Sequence, residues 1–339
     1  MRKSDRILVV RLSAMGDVAM TVHAVAALRR TYPDVAITMM TRRAWVPFFR
    51  DVERIDFLTL EGEKGEKGFM RVCRLAREAA AMGVTHVADL HDVLRTKLLR
   101  SLLRLRGCRV AIINKEKELK ERATRPTEKD LTPLRHSVER YAEVLGRVGY
   151  PIELPRVERH SRVLPAPFGE RTEGRWVGIA PFSKQEGKTY PSPQRDRLVE
   201  LAAKEFDRVF IFSGGGAERE FAGAMESRYR NVTAVFGRIK LDQEVDLMAN
   251  LDAIVSMDSS AMHMASLVGT PIVSVWGATH PATGFYGWGS DPDYQVQLDL
   301  PCRPCSVYGE LPCKFGDCRC MQGIDPTLIL EKLKQASTK

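Results

Sequence analysis

Eight apolar runs, four in each half of the chain, alternate with helix-like stretches, and this alternation constrains the fold more than any other feature of the sequence. In the first half the runs are Arg6–Leu12, Val35–Thr41, His86–His91 and Arg109–Ile113; in the second they are Trp176–Phe182, Arg208–Ser213, Ala253–Met257 and Pro271–Trp276. Runs without polar alternation suit strands covered on both faces of a parallel sheet. Between them, helical spacing predicts helices at Val18–Tyr32, Gly68–Met82, His136–Val148, Pro193–Lys204, Leu241–Asn250 and Ser260–Val268. Strands that alternate with helices call for right-handed crossovers and a doubly wound sheet. A chain of 339 residues is more than twice a typical domain of about 150, so two such α/β domains are expected, 1–165 and 166–339. Their seam falls in a Pro-rich stretch, 150–175, and the last helix could pack back onto the first domain.

Composition narrows the class. With 44% hydrophobic and 28% charged residues, the chain is neither disordered, nor collagenous, nor a disulfide scaffold. The first apolar run is cut by Arg11, and nowhere do about 18 apolar residues follow one another, so neither a secretory leader nor a membrane span is expected. A cytoplasmic protein with its seven cysteines reduced is the resulting expectation. Charge is unevenly placed: residues 1–165 hold 33 Lys/Arg against 21 Asp/Glu, whereas residues 166–339 hold 19 against 22. Eleven basic residues lie between Arg95 and Arg125, with only Glu116, Glu118 and Glu121 among them. Such a stretch attracts phosphate on nucleic acid, a lipid head group or a charged saccharide, or else is a solvated helix face.

In doubly wound folds ligands bind where strands end, so the turns after the apolar runs carry the chemistry. The first run leads through Gly16 to Asp17, a carboxylate in the first turn of a helix: either a helix-start residue favoured by the dipole or a base for a substrate hydroxyl. After the first run of the second half, Ser183, Lys184, Lys188 and Thr189 offer hydroxyls and cations suited to a diphosphate, or form an ordinary surface loop. Gly214, Gly215 and Gly216 lack dinucleotide spacing and make a tight turn, with Glu218 or Glu220 available to ribose hydroxyls. The run Ala253–Met257 delivers Asp258, Ser259 and Ser260 to a helix start, where backbone amides form an anion site unless Asp258 or Ser259 serves as the N-cap. His263 follows one turn later, and a Gly277–Pro281 turn lies beyond the next strand. Cys302, Cys305, Cys313, Cys318 and Cys320 could hold Zn²⁺ structurally, but their irregular spacing favours reduced thiols in a compact loop and no metal.

Taken in order, R-L-S-A-M-G-D-V (11–18), D-L-H-D-V-L-R-T (89–96), K-x-Y-P (188–191), G-A-E-R-E (216–220), M-D-S-S-A-M-H-M-A (257–265) and G-T-P-I-V-S-V-W-G-A-T-H-P (269–281) resemble glycosyltransferase family nine, the ADP-heptose:lipopolysaccharide heptosyltransferases and their relatives. The resemblance spans nearly the whole chain. It implies a GT-B fold, two Rossmann-like domains facing a cleft, with acceptor bound by the first and nucleotide-sugar donor by the second. It further implies inverting, metal-independent transfer of heptose from ADP-heptose to the lipopolysaccharide inner core, with no cofactor. Under it Asp17 is the general base and Lys188 contacts the donor phosphates. Glu220 reaches the ribose, and Asp258, Ser259, Ser260 and Ala261 hold nucleotide and phosphates; Ser183, Met262 and His263, the last a packed helix residue or a ligand, complete the donor candidates, while Gly16, His91, Arg95, Arg122 and Arg125 are the acceptor candidates, the basic ones read from charge because the motifs do not align them. The expected partner is an anionic lipopolysaccharide precursor at the inner face of the cytoplasmic membrane, not nucleic acid. Alternatives are a family member using another nucleotide sugar, or a non-catalytic binder of nucleotide and anionic lipid. A nicotinamide dehydrogenase fits poorly, because no G-x-G-x-x-G follows the first strand.

Overall fold

Ile7, Leu8, Val9 and Val10 are all inaccessible to solvent, and a strand covered on both faces belongs in the middle of a layered sheet. The computed structural model describes residues 5–61 and 68–338 and divides the chain into two units. The first comprises Met1–Lys115 and Ser137–Pro155. Its elements are β1 (Arg6–Val10), α1 (Met15–Thr31), β2 (Ala36–Thr41), β3 (Ile55–Thr59), α2 (Gly68–Ala81), β4 (His86–Asp89), α3 (Leu94–Arg104) and β5 (Arg109–Ile112). The chain then leaves through α4 (Lys117–Ala123) and returns as α5 (Ser137–Val148). The sheet runs β3-β2-β1-β4-β5 with every pairing parallel, so the strand order reverses between β1 and β4. Small buried residues on α1, Ala19, Ala24 and Ala27, let that helix lie close and pack beside α5, while α2 packs beside α3.

The second unit comprises Glu116–His136 and Arg156–Lys339. It holds β6 (Trp176–Ala180), α6 (Gln194–Glu205), β7 (Arg208–Ile211), α7 (Ala217–Arg228), β8 (Val232–Ala234), α8 (Leu241–Ala249), β9 (Ala253–Met257), α9 (Ser260–Leu267), β10 (Ile272–Trp276), β11 (Gln295–Gln297), α10 (Arg319–Gln322) and α11 (Pro326–Ala336). This sheet is also fully parallel, in the order β11-β10-β9-β6-β7-β8, and reverses between β6 and β9. Asp325 starts α11 by accepting the Thr327 N–H at 2.8 Å, and Ile329, Leu333 and Ala336, spaced 4 and 3 apart, fill the core beneath β9 and β10. This last helix therefore lies within the second unit.

Residues 116–136 belong with the second sheet although they follow the first. The Lys120 ammonium sits 4.5 Å from the Phe285 ring centre, the Leu134 N–H donates to Ala282 O at 2.8 Å, and His136 Nε2 lies 2.7 Å from Tyr286 O with its ring against Tyr286 and Trp288. Three chain crossings, after residues 115, 136 and 155, thus separate the units where the sequence suggested one cut after 165.

Candidate functional site

Reversals of strand order leave a crevice at the carboxyl ends of the two diverging strands. In the first unit that position lies after β1 and β4, and there the sequence-predicted Asp17, Gly16 and His91 come together. Asp17 Oδ2 accepts the Ala14 N–H at 3.0 Å and pairs with the Arg11 guanidinium at 2.6 Å. Arg11 is fixed in turn by Ser13 O and Leu90 O, each at 2.7 Å. One cation thereby ties the two turns together and orients the carboxylate, whose side chain retains 20% exposure against 12% for Arg11. Gly16 is buried in the same helical turn.

Ser13 Oγ lies 3.1 Å from His91 Nε2 across the turns. Burial, then the nearby Arg11 charge, lowers the His91 pKa to about 4, so its imidazole is neutral at pH 7. Its turn is held by the buried Asp89, which accepts the N–H groups of His91 and Asp92 at 3.0 and 2.9 Å and the Arg100 guanidinium at 2.5 Å. Arg95 is exposed in the first turn of α3. Arg122 is half-buried, paired with Glu118 at 2.6 Å, and the exposed Arg125 follows it. Both of these belong to the second unit, so the acceptor set read from sequence is split, for the packing reason given above.

In the second unit the reversal lies after β6 and β9. Lys188 Nζ meets Asp258 Oδ2 at 3.2 Å, and the Thr279 hydroxyl donates to the same oxygen at 2.7 Å. Ser183 Oγ donates to Asp258 O at 3.0 Å, joining the loop after β6 to the turn after β9. Asp258 is therefore turned towards Lys188 and Thr279 and does not cap the helix. Ser259 occupies the N-cap position of α9, but its side chain makes no cap hydrogen bond and lies 3.3 Å from Ser256 Oγ. The amides of Ser260, Ala261 and Met262, which no helical carbonyl can satisfy, are left without a side-chain cap beside a lysine. Met262 and His263 side chains are buried in the helix packing. Glu220 is exposed on the first turn of α7, whereas Glu218 folds back on the Gly214 N–H at 2.6 Å, which leaves Glu220 the more accessible of the two carboxylates weighed for ribose.

Close backbone approach sets this geometry. A Cβ at Gly277 would stand 2.4 Å from Gly187 O, the carbonyl that accepts the Ala278 N–H at 2.9 Å. Gly309, with φ +77°, lies against the Lys188 stem, where a Cβ would meet Cγ at 2.8 Å. Arg303 is 3% exposed and donates to Gly277 O at 2.5 Å, Thr279 O at 2.8 Å and Gln297 Oε1 at 3.1 Å, which locks the turn carrying Thr279. Arg11, Thr279 and Arg303 were missed as site residues in the sequence, although Arg11 and Thr279 lie inside the quoted motifs. Arg303 gives no local signal, sitting between two cysteines. The seven cysteines are free thiols, and among the described residues no three His, Cys, Asp or Glu side chains converge as a metal site needs.

The description of glycosyltransferase family 9 (heptosyltransferase) matches residues 105–313, more than half of the chain. Lipopolysaccharide heptosyltransferase 1 of Pseudomonas aeruginosa is 37% identical over 121 residues, 35% of this chain and 32% of that protein. Three curated heptosyltransferases are matched over 32% to 44% of their own lengths. Among solved structures, a glycosyl transferase of family 9 from Veillonella parvula superposes with a TM-score of 0.74 at 17% identity, covering 100% of this chain and 99% of that one. The E. coli heptosyltransferase WaaC, solved with ADP, does so with 0.67 at 15% identity, covering 98% and 99%. At these identities the likeness carries the fold, and the two parallel-sheet units are those of the GT-B class.

Proposed function

The chain belongs to glycosyltransferase family 9, and we propose that it is an inverting glycosyltransferase that moves heptose from ADP-heptose to a hydroxyl of the lipopolysaccharide inner core. In this reading the first unit binds acceptor and the second binds donor. The observation that carries it is the uncapped start of α9 with Lys188 held beside it by Asp258 and Thr279. Fixed amides and an ammonium stabilise the charge that develops on a leaving diphosphate, and they do so without a metal ion. Asp258 orients the lysine instead of meeting the anion, while Ser183 fixes the turn. Glu220 serves the ribose, and Ser259 to Met262 line the phosphate side.

Transfer then requires a base. The acceptor oxygen attacks the anomeric carbon as its proton passes to Asp17; the C–O bond to the diphosphate breaks on the opposite face, and ADP leaves with the bonding pair. Arg11 and the Ala14 N–H hold the carboxylate for that step. Neutral His91, Gly16 and Arg95 lie on the acceptor side, and Arg122 and Arg125 offer charge to its phosphates. Such an acceptor is anchored in the cytoplasmic membrane, so the enzyme works at its inner face.

Thermal melting with ADP, UDP, GDP and CDP tests the donor, because a ligand that binds only the native state raises its melting temperature. ADP alone should raise it, and Lys188→Met should reduce the shift at a given ADP concentration. A shift with UDP or GDP instead would move the donor to another nucleotide sugar, and none with any nucleotide would overturn the reading.

A further inference from the structure

Helix α3 turns an unusual face to water. Leu94 is 82% and Leu105, its C-cap, 87% exposed, and the two fall within about 20° of one another around the helix axis, while Leu98, between them in sequence, packs against the core. Isolated exposed leucines need no explanation, but two aligned on one helix face beside a cationic flank do. Lys97 and Arg104 flank the pair on one side and Arg106 follows it, all exposed and without an ion pair among the described residues. Residues 94–109 contain six Lys/Arg and no Asp or Glu. Beside α3 packs α2, whose first residues include Phe69, 66% exposed, and Met70, 57% exposed. Both helices begin at the carboxyl edge of the first sheet, the edge that also carries Asp17 and His91.

We infer that this α2–α3 face docks on an anionic bilayer surface. Side chains that are apolar along the centre and cationic along the flank match the one partner that offers acyl chains and phosphates at adjoining depths. Duplex nucleic acid satisfies the cations and leaves the leucines in water. Among the described residues no helix is long and apolar enough to cross a membrane. A face of this kind makes contact by lying in the interface plane. The inference deepens the proposed function, whose acceptor is a phosphorylated saccharide on a lipid: docking here sets the first sheet's carboxyl edge against the membrane.

Flotation of the full chain with phosphatidylglycerol vesicles and with phosphatidylcholine vesicles tests it, and needs neither donor nor transfer. The chain should float with the first and not the second. Leu94→Ser with Leu105→Ser should weaken flotation by about tenfold or more, and Lys97→Glu with Arg104→Glu should abolish it, with melting temperature unchanged because all four side chains face water. Equal flotation of the leucine variant, or no flotation of the native chain, overturns the docking face. So does full displacement by random duplex DNA. Transfer to detergent-dispersed acceptor reports separately on the proposed function: docking variants should retain it, and its loss in the native chain would leave the vesicle result standing.

Discussion

The two switch points use the same parts in opposite order. Each pairs a carboxylate with a cation at the end of a central strand: Asp17 with Arg11 at 2.6 Å, and Asp258 with Lys188 at 3.2 Å. In the first pair the carboxylate is the more exposed partner, at 20% against 12%, and the cation is spent on backbone carbonyls behind it. In the second, the carboxylate takes a further hydrogen bond from Thr279, and the lysine stands at an uncapped helix start. One fold repeated twice therefore presents a partly exposed carboxylate in one unit and a lysine paired beside an uncapped helix start in the other. What differs is which member of the pair is held from behind.

The contrast predicts separable losses. Asp17→Asn should lower transfer by about 10²–10⁴-fold, the range of a general base, with ADP affinity by calorimetry unchanged. Lys188→Met should instead weaken ADP by about tenfold to a hundredfold, since charge-assisted contacts to phosphate are lost. A variant of Asp17 that lost ADP affinity would erase the distinction. Thr279→Val removes one of two donors from a buried carboxylate, at about 1–2 kcal/mol, and should raise the donor KM about tenfold while leaving acceptor KM alone.

The smallest effect concerns two histidines, one near each site. Burial, then Arg11 for His91 and Arg303 for His280, lowers both pKa values to about 4 from 6.5. As pH falls below about 6.5 the unfolded chain takes up protons that the folded chain refuses, so stability present above that pH is lost progressively towards pH 4. Each histidine should account for about 1–2 kcal/mol of the loss between pH 7 and pH 5. Urea unfolding midpoints at pH 7 and pH 5 measure it; His91→Gln and His280→Gln should each flatten part of the difference, and an unaltered slope in both would show that other groups control acid sensitivity.

How far such features were legible from residues alone depended on burial. Ala253–Met257 was read with its observed limits, because all five residues are buried and nothing but a central strand suits them. Strands β3, β8 and β11 were not read. All three are sheet edges, where one side meets solvent or loop and the apolar run breaks up: Asp56 is exposed between Ile55 and Phe57. The arm at 116–136 was placed with the wrong half, since its basic, polar sequence gives no hint of the aromatic ledge at Phe285, Tyr286 and Trp288 that holds it.

Local order was written in the chain by itself: two α/β units, parallel sheets, and turns with Asp17, Lys188 and Asp258 at strand ends. Those features depend on the spacing of apolar, glycine and proline residues within one element, which short-range sterics and solvation decide. Partnerships were decided only by tertiary structure. Ser13 meets His91 across 78 residues and Thr279 meets Asp258 across 21, because strand order, not sequence distance, sets which turns share a crevice. Whether a carboxylate is left open or ties down a lysine depends on what stands behind it, and no pattern within a single turn contains that information.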